Sequence, residues 1–198
     1  MTRTWIAGGV MGFLGAILIT VVLDVGHGFG DSGAVVEHNG RLVKEHELNL
    51  IAANAAKKAL EEKGLYHVFL LQKRPYGLEA SGSKLCFSDL VVSIHHNNFW
   101  NPEVNGSEVF YYDKKNRDMA AGFSRKIATG LQIKNRGAKL GNIAILRGIH
   151  GCTKAVLTEG YFMGSGDIKD HHKWSERYGL LLADAIHESL WKHNHKSL

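Results

Sequence analysis

The sequence predicts an α/β fold: a three-layer sandwich in which a mixed, mainly parallel sheet is flanked by helices. Three observations lead to that expectation. Ile19–Leu23 and Leu90–Ile94 are short, continuous apolar runs rich in β-branched residues, as strands covered on both faces are, and Tyr66–Leu71 is a further apolar run that reads as a strand. Between such runs the apolar residues switch to helical spacing, as with Leu48, Ile51, Ala52, Ala55 and Ala59. Residues able to do chemistry then recur where the runs end, and open α/β sheets hold their ligands at the carboxyl ends of their strands.

The 198 residues can bury a sizeable core and fit one globular domain. With 44% hydrophobic and 22% charged residues and only two prolines, no low-complexity tract or long linker is expected. The net charge of +5 suits anionic surroundings such as a cell wall or membrane surface. It does not point to nucleic acid, because the basic residues are scattered and no aromatic platform lies among them. Cys86 and Cys152 are too few for a disulfide framework and lack the spacing of a zinc knuckle, so one bridge or two free thiols both fit.

Along the chain, Trp5 to Leu23 carries no charge but is diluted by Gly8, Gly9, Gly12 and Gly15. Its last third must serve as a strand, so residues 1–18 are expected to be a targeting or anchor segment and residues 19–198 the folded domain. A buried apolar helix or an extra leading strand would account for the same run. The first strand, Ile19–Leu23, leads into a loop containing Gly26, Gly28, Gly30 and Gly33, where the backbone can turn sharply and approach a ligand. That loop carries Asp24, His27 and Asp31. His27 alone is a candidate metal ligand or acid/base, or equally a histidine capping a tight turn.

Glu37–Arg41, with Asn39-Gly40, reads as a polar turn. Glu45 to Lys63 reads as a helix stopped by Gly64, with Glu45 and Glu47 in its first turn, where acidic side chains complement the helix dipole. Tyr66–Leu71 is expected to be a strand and Gln72 to Ser88 a surface loop. Leu90–Ile94 is a strand that ends in His95 and His96; alternation places His95 with Ser93 and sends His96 to the opposite face. If this strand lies beside the first, His27 and His95 converge, as zinc requires of imidazole ligands. Gly106–Tyr112 reads as a strand, and 116–129 as a helix packed through Met119, Ala120, Phe123 and Ile127. Ile143–Leu146 is short and apolar, followed by Arg147. Ala155–Thr158 is a strand that ends in Glu159, which brings a carboxylate to a third strand end. An amphipathic helix over Trp174–Trp191 closes the chain, followed by a frayed tail.

The segments DVGHGFGDSGA, EHELNL, SIHHN, GSEVFYY, ILRG and LTEGYF resemble, in order and spacing, the zinc-dependent N-acetylmuramoyl-L-alanine amidases of the amidase-3 type. The resemblance runs from about Val21 to the last helix. It implies one Zn2+ bound by His27, Glu45 and His95, with Glu159 as catalytic carboxylate and peptidoglycan as substrate. Glu45 is chosen over Glu47 because Asn49 and Leu50 follow it at the family's spacing. Val25 and Phe29 depart from the family's usual proline and glycine, and Gln72–Ser88 lacks the family's arginine-bearing pattern. The shortness of the chain suggests a phage or prophage endolysin or a compact bacterial wall amidase.

Chemistry agrees with the resemblance. Two histidines and a carboxylate leave a fourth zinc position open, the mark of a catalytic site, and Glu159 is placed to act as general base and acid. Asp24 is a candidate for orienting a ligand or a carboxylate satisfied within the turn. Arg147 is expected to form a structural ion pair rather than to contact substrate. The alternatives carried forward are a zinc peptidase cutting within the stem peptide and a non-catalytic wall-binding protein of the same fold. The protein is expected to be a monomer, exported to the cell envelope or periplasm, with transient membrane association through its N-terminus.

Overall fold

A computed structural model describes residues 18–72 and 85–194. The predicted targeting segment, apart from Leu18, lies outside the described residues, as do residues 73–84 of the expected surface loop and the last four of the tail. Among the described residues no helix is long and apolar enough to cross a membrane.

The apolar run that follows the N-terminal segment is β1, Ile19–Val25. It lies between β4 (Tyr66–Gln72) and β5 (Leu90–Asn97) and is parallel to both. β8, Lys154–Phe162, continues the parallel set beside β5. β6 (Ser107–Tyr111) then pairs antiparallel with β8, and β7 (Asn135–Leu140) forms the edge parallel to β6. The order β4-β1-β5-β8-β6-β7 is the mixed, mainly parallel sheet that the sequence predicts.

Side-chain alternation along these strands builds two cores. Val21, Leu23, Val25, Leu90, Val92 and Ile94 face one way. There they meet α1 (Glu45–Glu61), α2 (Arg117–Leu131) and α4 (His171–Asn194) through residues such as Ala52, Phe123, Ile127, Tyr178 and Ile186. Val22, Val91, Ala155 and Leu157 face the other way, under Ile145, Leu146 and Ile149 of the short α3, Ala144–Ile149. Ser93 and His95 continue the face of Val91, and Glu159 continues the face of Leu157. Ser93, His95 and Glu159 therefore share the face that, among the described residues, α3 covers.

Several elements differ from the sequence expectation. The turn at Asn39-Gly40 is the tip of a hairpin, β2 (Val35–His38) with β3 (Arg41–Lys44). Both turn residues have positive φ, 52° and 74°, as a two-residue hairpin turn requires. β8 does not end at Glu159 but runs on to Phe162, because β5 also continues and pairs Asn97 with Phe162 across a register shift. α4 starts earlier and ends later than Trp174–Trp191.

Cys86 and Cys152 form a disulfide with a sequence separation of 66, which settles the choice left open by the sequence. It ties the segment entering β5 to the segment entering β8. Closing a loop of that length should stabilise the fold by roughly 4 kcal/mol through restriction of the unfolded chain. We expect the Cys86→Ser/Cys152→Ser double variant to lose about 2–4 kcal/mol in urea unfolding, and dithiothreitol to have the same effect on the native protein while leaving the variant unchanged.

Candidate metal centre

His27 lies just beyond the end of β1, at φ 63°, a left-handed conformation that a non-glycine residue adopts at some cost. The loop is held in that shape by a bridge between Gly28 and Asp31 and by Asp31 itself. Asp31 Oδ2 lies 2.8 Å from His27 Nδ1, and its Oδ1 accepts from Gly33 N at 3.0 Å. With Nδ1 so engaged, Nε2 of His27 turns inward. The orienting carboxylate is thus Asp31, four residues on; Asp24 is buried and accepts from Ser93 Oγ at 2.5 Å.

Glu45 is the first residue of α1. The same loop caps that helix, since Glu45 N donates to Ala34 O (2.9 Å) and His46 N to Ser32 O (3.2 Å). The Glu45 side chain turns inward and is 4% exposed, whereas Glu47 stays outside and pairs with Lys44. Oε2 of Glu45 lies 3.2 Å from His27 Nε2 and accepts from Ala34 N at 3.0 Å. Oε1 lies 3.0 Å from His95 Nδ1 and accepts from the backbone of His96 at 3.2 Å.

Ligand atoms of His27, Glu45 and His95 all lie within 4.8 Å of one another. The rings of His27 and His95 meet edge to face, with centroids 4.9 Å apart. The sequence places His96 on the opposite face, and there it is buried, donating from Nδ1 to Asn49 Oδ1 (2.6 Å) and accepting at Nε2 from Ser175 (3.3 Å). Burial pushes it down to about 3, which keeps it a neutral strut between β5, α1 and α4.

The fourth residue, Glu159, sits in register with His95 on the adjacent strand. Its Oε2 is buried and has no hydrogen-bond partner among the described residues. Burial, reinforced by the nearby carboxylates of Glu45 and Glu108, raises it from 4.5 to about 8. Glu45 behaves oppositely: burial alone would raise it, but hydrogen bonds from His27 and His95 outweigh burial and hold it well below the usual range. His27 is raised to about 9, first by its hydrogen bond to Glu45, with Asp31 adding to that and burial opposing it.

These features fit a bound cation. Two imidazoles and an ionised carboxylate form a donor set suited to zinc, whose tetrahedral bonds of about 2 Å call for ligand atoms spaced on the scale seen here. The backbone has been cleared for the cluster as well: a Cβ on Gly26 would lie 2.4 Å from the His95 imidazole, and one on Gly33 would lie 2.6 Å from both Glu45 Oε2 and His27. Gly26→Ala should therefore displace His95 and weaken zinc binding at least ~10-fold, the usual scale for disturbing a ligand's support. Titration against a chelator checks this, and unchanged affinity would show that the ring has room to move.

Three contributors were not assigned from the sequence. Asp31 could have been found from its i+4 spacing to His27. Asn49, one helical turn after Glu45, donates to Gly26 O at 3.0 Å and so joins α1 to the His27 loop. Glu108 is a lone acid in the apolar strand GSEVFYY, directly opposite Glu159. Arg147 lies on α3 and donates to Asn142 Oδ1 at 2.9 Å.

Residues 21–192 match the sequence family described as N-acetylmuramoyl-L-alanine amidase (Amidase_3). A protein of Bacillus anthracis described as an uncharacterized cell wall amidase is 30% identical over 204 residues, covering 88% of this chain and 36% of that protein. The N-acetylmuramoyl-L-alanine amidase LytC of Bacillus subtilis is 30% identical over 176 residues, covering 85% of this chain and 34% of LytC. The chain thus spans about a third of the length of these two relatives. Among solved structures, the catalytic domain of CwlV, an N-acetylmuramoyl-L-alanine amidase from Bacillus (Paenibacillus) polymyxa, superimposes with a TM-score of 0.75 at 25% identity. That match covers 87% of this chain and 98% of that domain.

Proposed function

Because the chain belongs to the N-acetylmuramoyl-L-alanine amidase family, we propose that it hydrolyses the amide joining the lactyl carbonyl of N-acetylmuramic acid to the L-alanine of the peptidoglycan stem peptide. The observation that carries this reading is the convergence of His27, Glu45 and His95 with Glu159 in register beside them. A zinc ion held by His27, Glu45 and His95 would supply a Lewis acid that polarises the scissile carbonyl and lets water ionise near neutral pH.

The protein's own groups do the rest. Asp31 fixes the tautomer and direction of His27. Glu159 takes a proton from the attacking water and returns it to the departing amine of L-alanine. A carboxyl that burial raises to about 8 holds a proton it has taken near neutral pH and can deliver it to the amine.

The Cys86–Cys152 bridge supports an oxidising location, and with the cell-wall relatives it favours export to the envelope or periplasm. In this reading residues 1–18 serve as the targeting or anchor segment, residues 19–198 form the catalytic domain, and membrane contact through the N-terminus is transient. The protein acts as a monomer on peptidoglycan and does not use nucleic acid.

Zinc analysis of the purified protein, together with mass spectrometry of digested wall, tests the proposal. The expected products are glycan strands freed of peptide and stem peptides that begin with L-alanine. New termini within the stem peptide would instead identify a peptidase.

A further inference from the structure

We propose that Arg136 and Lys139 form a carboxylate-binding subsite that receives a free carboxylate on the peptide side of the scissile bond and so fixes how the substrate lies across the sheet. This rests on the amidase reading above. Both cations come from the edge strand β7 and converge on Glu108, the residue opposite Glu159 on β6. Arg136 Nε and Lys139 Nζ each lie 2.6 Å from the same oxygen, Glu108 Oε2, while Oε1 accepts from Asn97 Nδ2 at 3.1 Å. Burial pulls Glu108 upward, but hydrogen bonds from Lys139 and Arg136 outweigh it and leave the carboxyl below its usual range.

Neutralising one buried carboxylate takes one cation, and a second leaves the cluster with a net positive charge. That charge is accessible: the side chains of Arg136 and Lys139 are 29% and 38% exposed, whereas that of Glu108 is 6% exposed. The Arg136 guanidinium also lies over the Phe162 ring, 4.9 Å from its centroid. Among the described residues Glu108 is its one hydrogen-bond partner, through Nε. A planar fork lying over an aromatic ring, with its terminal nitrogens uncommitted among the described residues, is well suited to a carboxylate.

The substrate's own chemistry decides which carboxylate. On the glycan side of the bond, the lactyl carboxyl is consumed in the amide and the sugar offers neutral hydroxyl and acetamido groups. Free carboxylates lie on the peptide side. Adjacent strands are about 4.8 Å apart, and an extended peptide advances about 3.3–3.6 Å per residue. A cationic pair one to two strands from Glu159 is therefore in reach of the residue after L-alanine. The peptide then runs toward β6 and β7, and the glycan lies toward β1 and His27. The departing amine falls on the side where Glu159 must deliver its proton.

The test uses the full chain carrying Glu159→Gln, so that binding is read without turnover. Calorimetry compares two N-acetylmuramoyl dipeptides that differ only in the α-substituent of the second residue, carboxylate or primary amide. The carboxylate should bind about 10-fold or more tightly, on the scale of a charge-assisted hydrogen bond. Adding Lys139→Met, which leaves Arg136 on Glu108, should bring that ratio to within about 2-fold, and Lys139→Arg should restore it. Equal affinities for the two ligands, or a Lys139→Met variant that weakens both alike, would overturn the subsite. If the unmutated chain leaves both compounds uncut while the affinity ratio persists, the choice of scissile bond fails and the subsite stands.

Discussion

His27→Ala, Glu45→Ala and His95→Ala should each yield a protein that holds no stoichiometric zinc and has no measurable activity on purified wall. The expectation follows from how few donors the cluster has. Removing one of three leaves two, and the orienting hydrogen bonds that surround them were built around the missing group. Glu45→Ala should be the most severe, because Glu45 also receives backbone donors from Ala34 and His96 that would be left unpaired in a buried site. Metal analysis after dialysis, with circular dichroism to confirm folding, reads the outcome. Zinc retained at one per chain in His27→Ala would sink the assignment.

Glu159→Gln should part company with those variants. It should keep zinc and the fold yet lose roughly 10²- to 10⁴-fold in turnover, the usual worth of a positioned general acid–base. In the metal-free protein it should also change how stability depends on pH. A carboxyl raised from 4.5 to about 8 keeps its proton in the folded state after the unfolded chain has lost it. Between those two values the folded state binds more protons, so wild-type stability falls as pH rises. Glutamine does not titrate, so the stability advantage of Glu159→Gln should be small near pH 5 and grow toward pH 8. Thermal melts of both metal-free proteins across that range test it; a gap that stays constant or narrows would contradict the burial argument.

The parts of the fold that can be read in the sequence are those with a continuous apolar run or an apolar stripe at helical spacing. β1, β5 and β8 stand out because two-sided burial demands unbroken apolar runs. β7 escapes notice because an edge strand needs no such run: Asn135, Arg136 and Lys139 sit on a sheet margin where polar side chains are tolerated. α3 is only six residues long and shows no periodicity, and the strands of the β2–β3 hairpin are half exposed, so only their turn announces itself. His27, His95 and Glu159 were legible at the site because each follows or ends a recognisable strand. The choice of Glu45 over Glu47 came from the family resemblance; the structure gives its physical basis in the loop that turns Glu45 inward. Asn49 and Glu108 act through partners that folding brings close, whereas Asp31 is marked locally by its spacing of four residues from His27.

The central place of β1 has a consequence for when activity can arise. Val21 pairs with Val68 on one side and with Leu90 on the other, and β5 in turn waits for Lys154 and the residues after it. Parallel partners so distant along the chain cannot dock until the intervening segments have emerged, and such non-local pairing is slow. As a ribosome feeds the chain out from its amino end, His27 appears early but stays without Glu159, which comes with β8. A chain caught partway therefore lacks the assembled cluster of His27, Glu45, His95 and Glu159. The order of the strands delays completion of the site until synthesis is nearly finished.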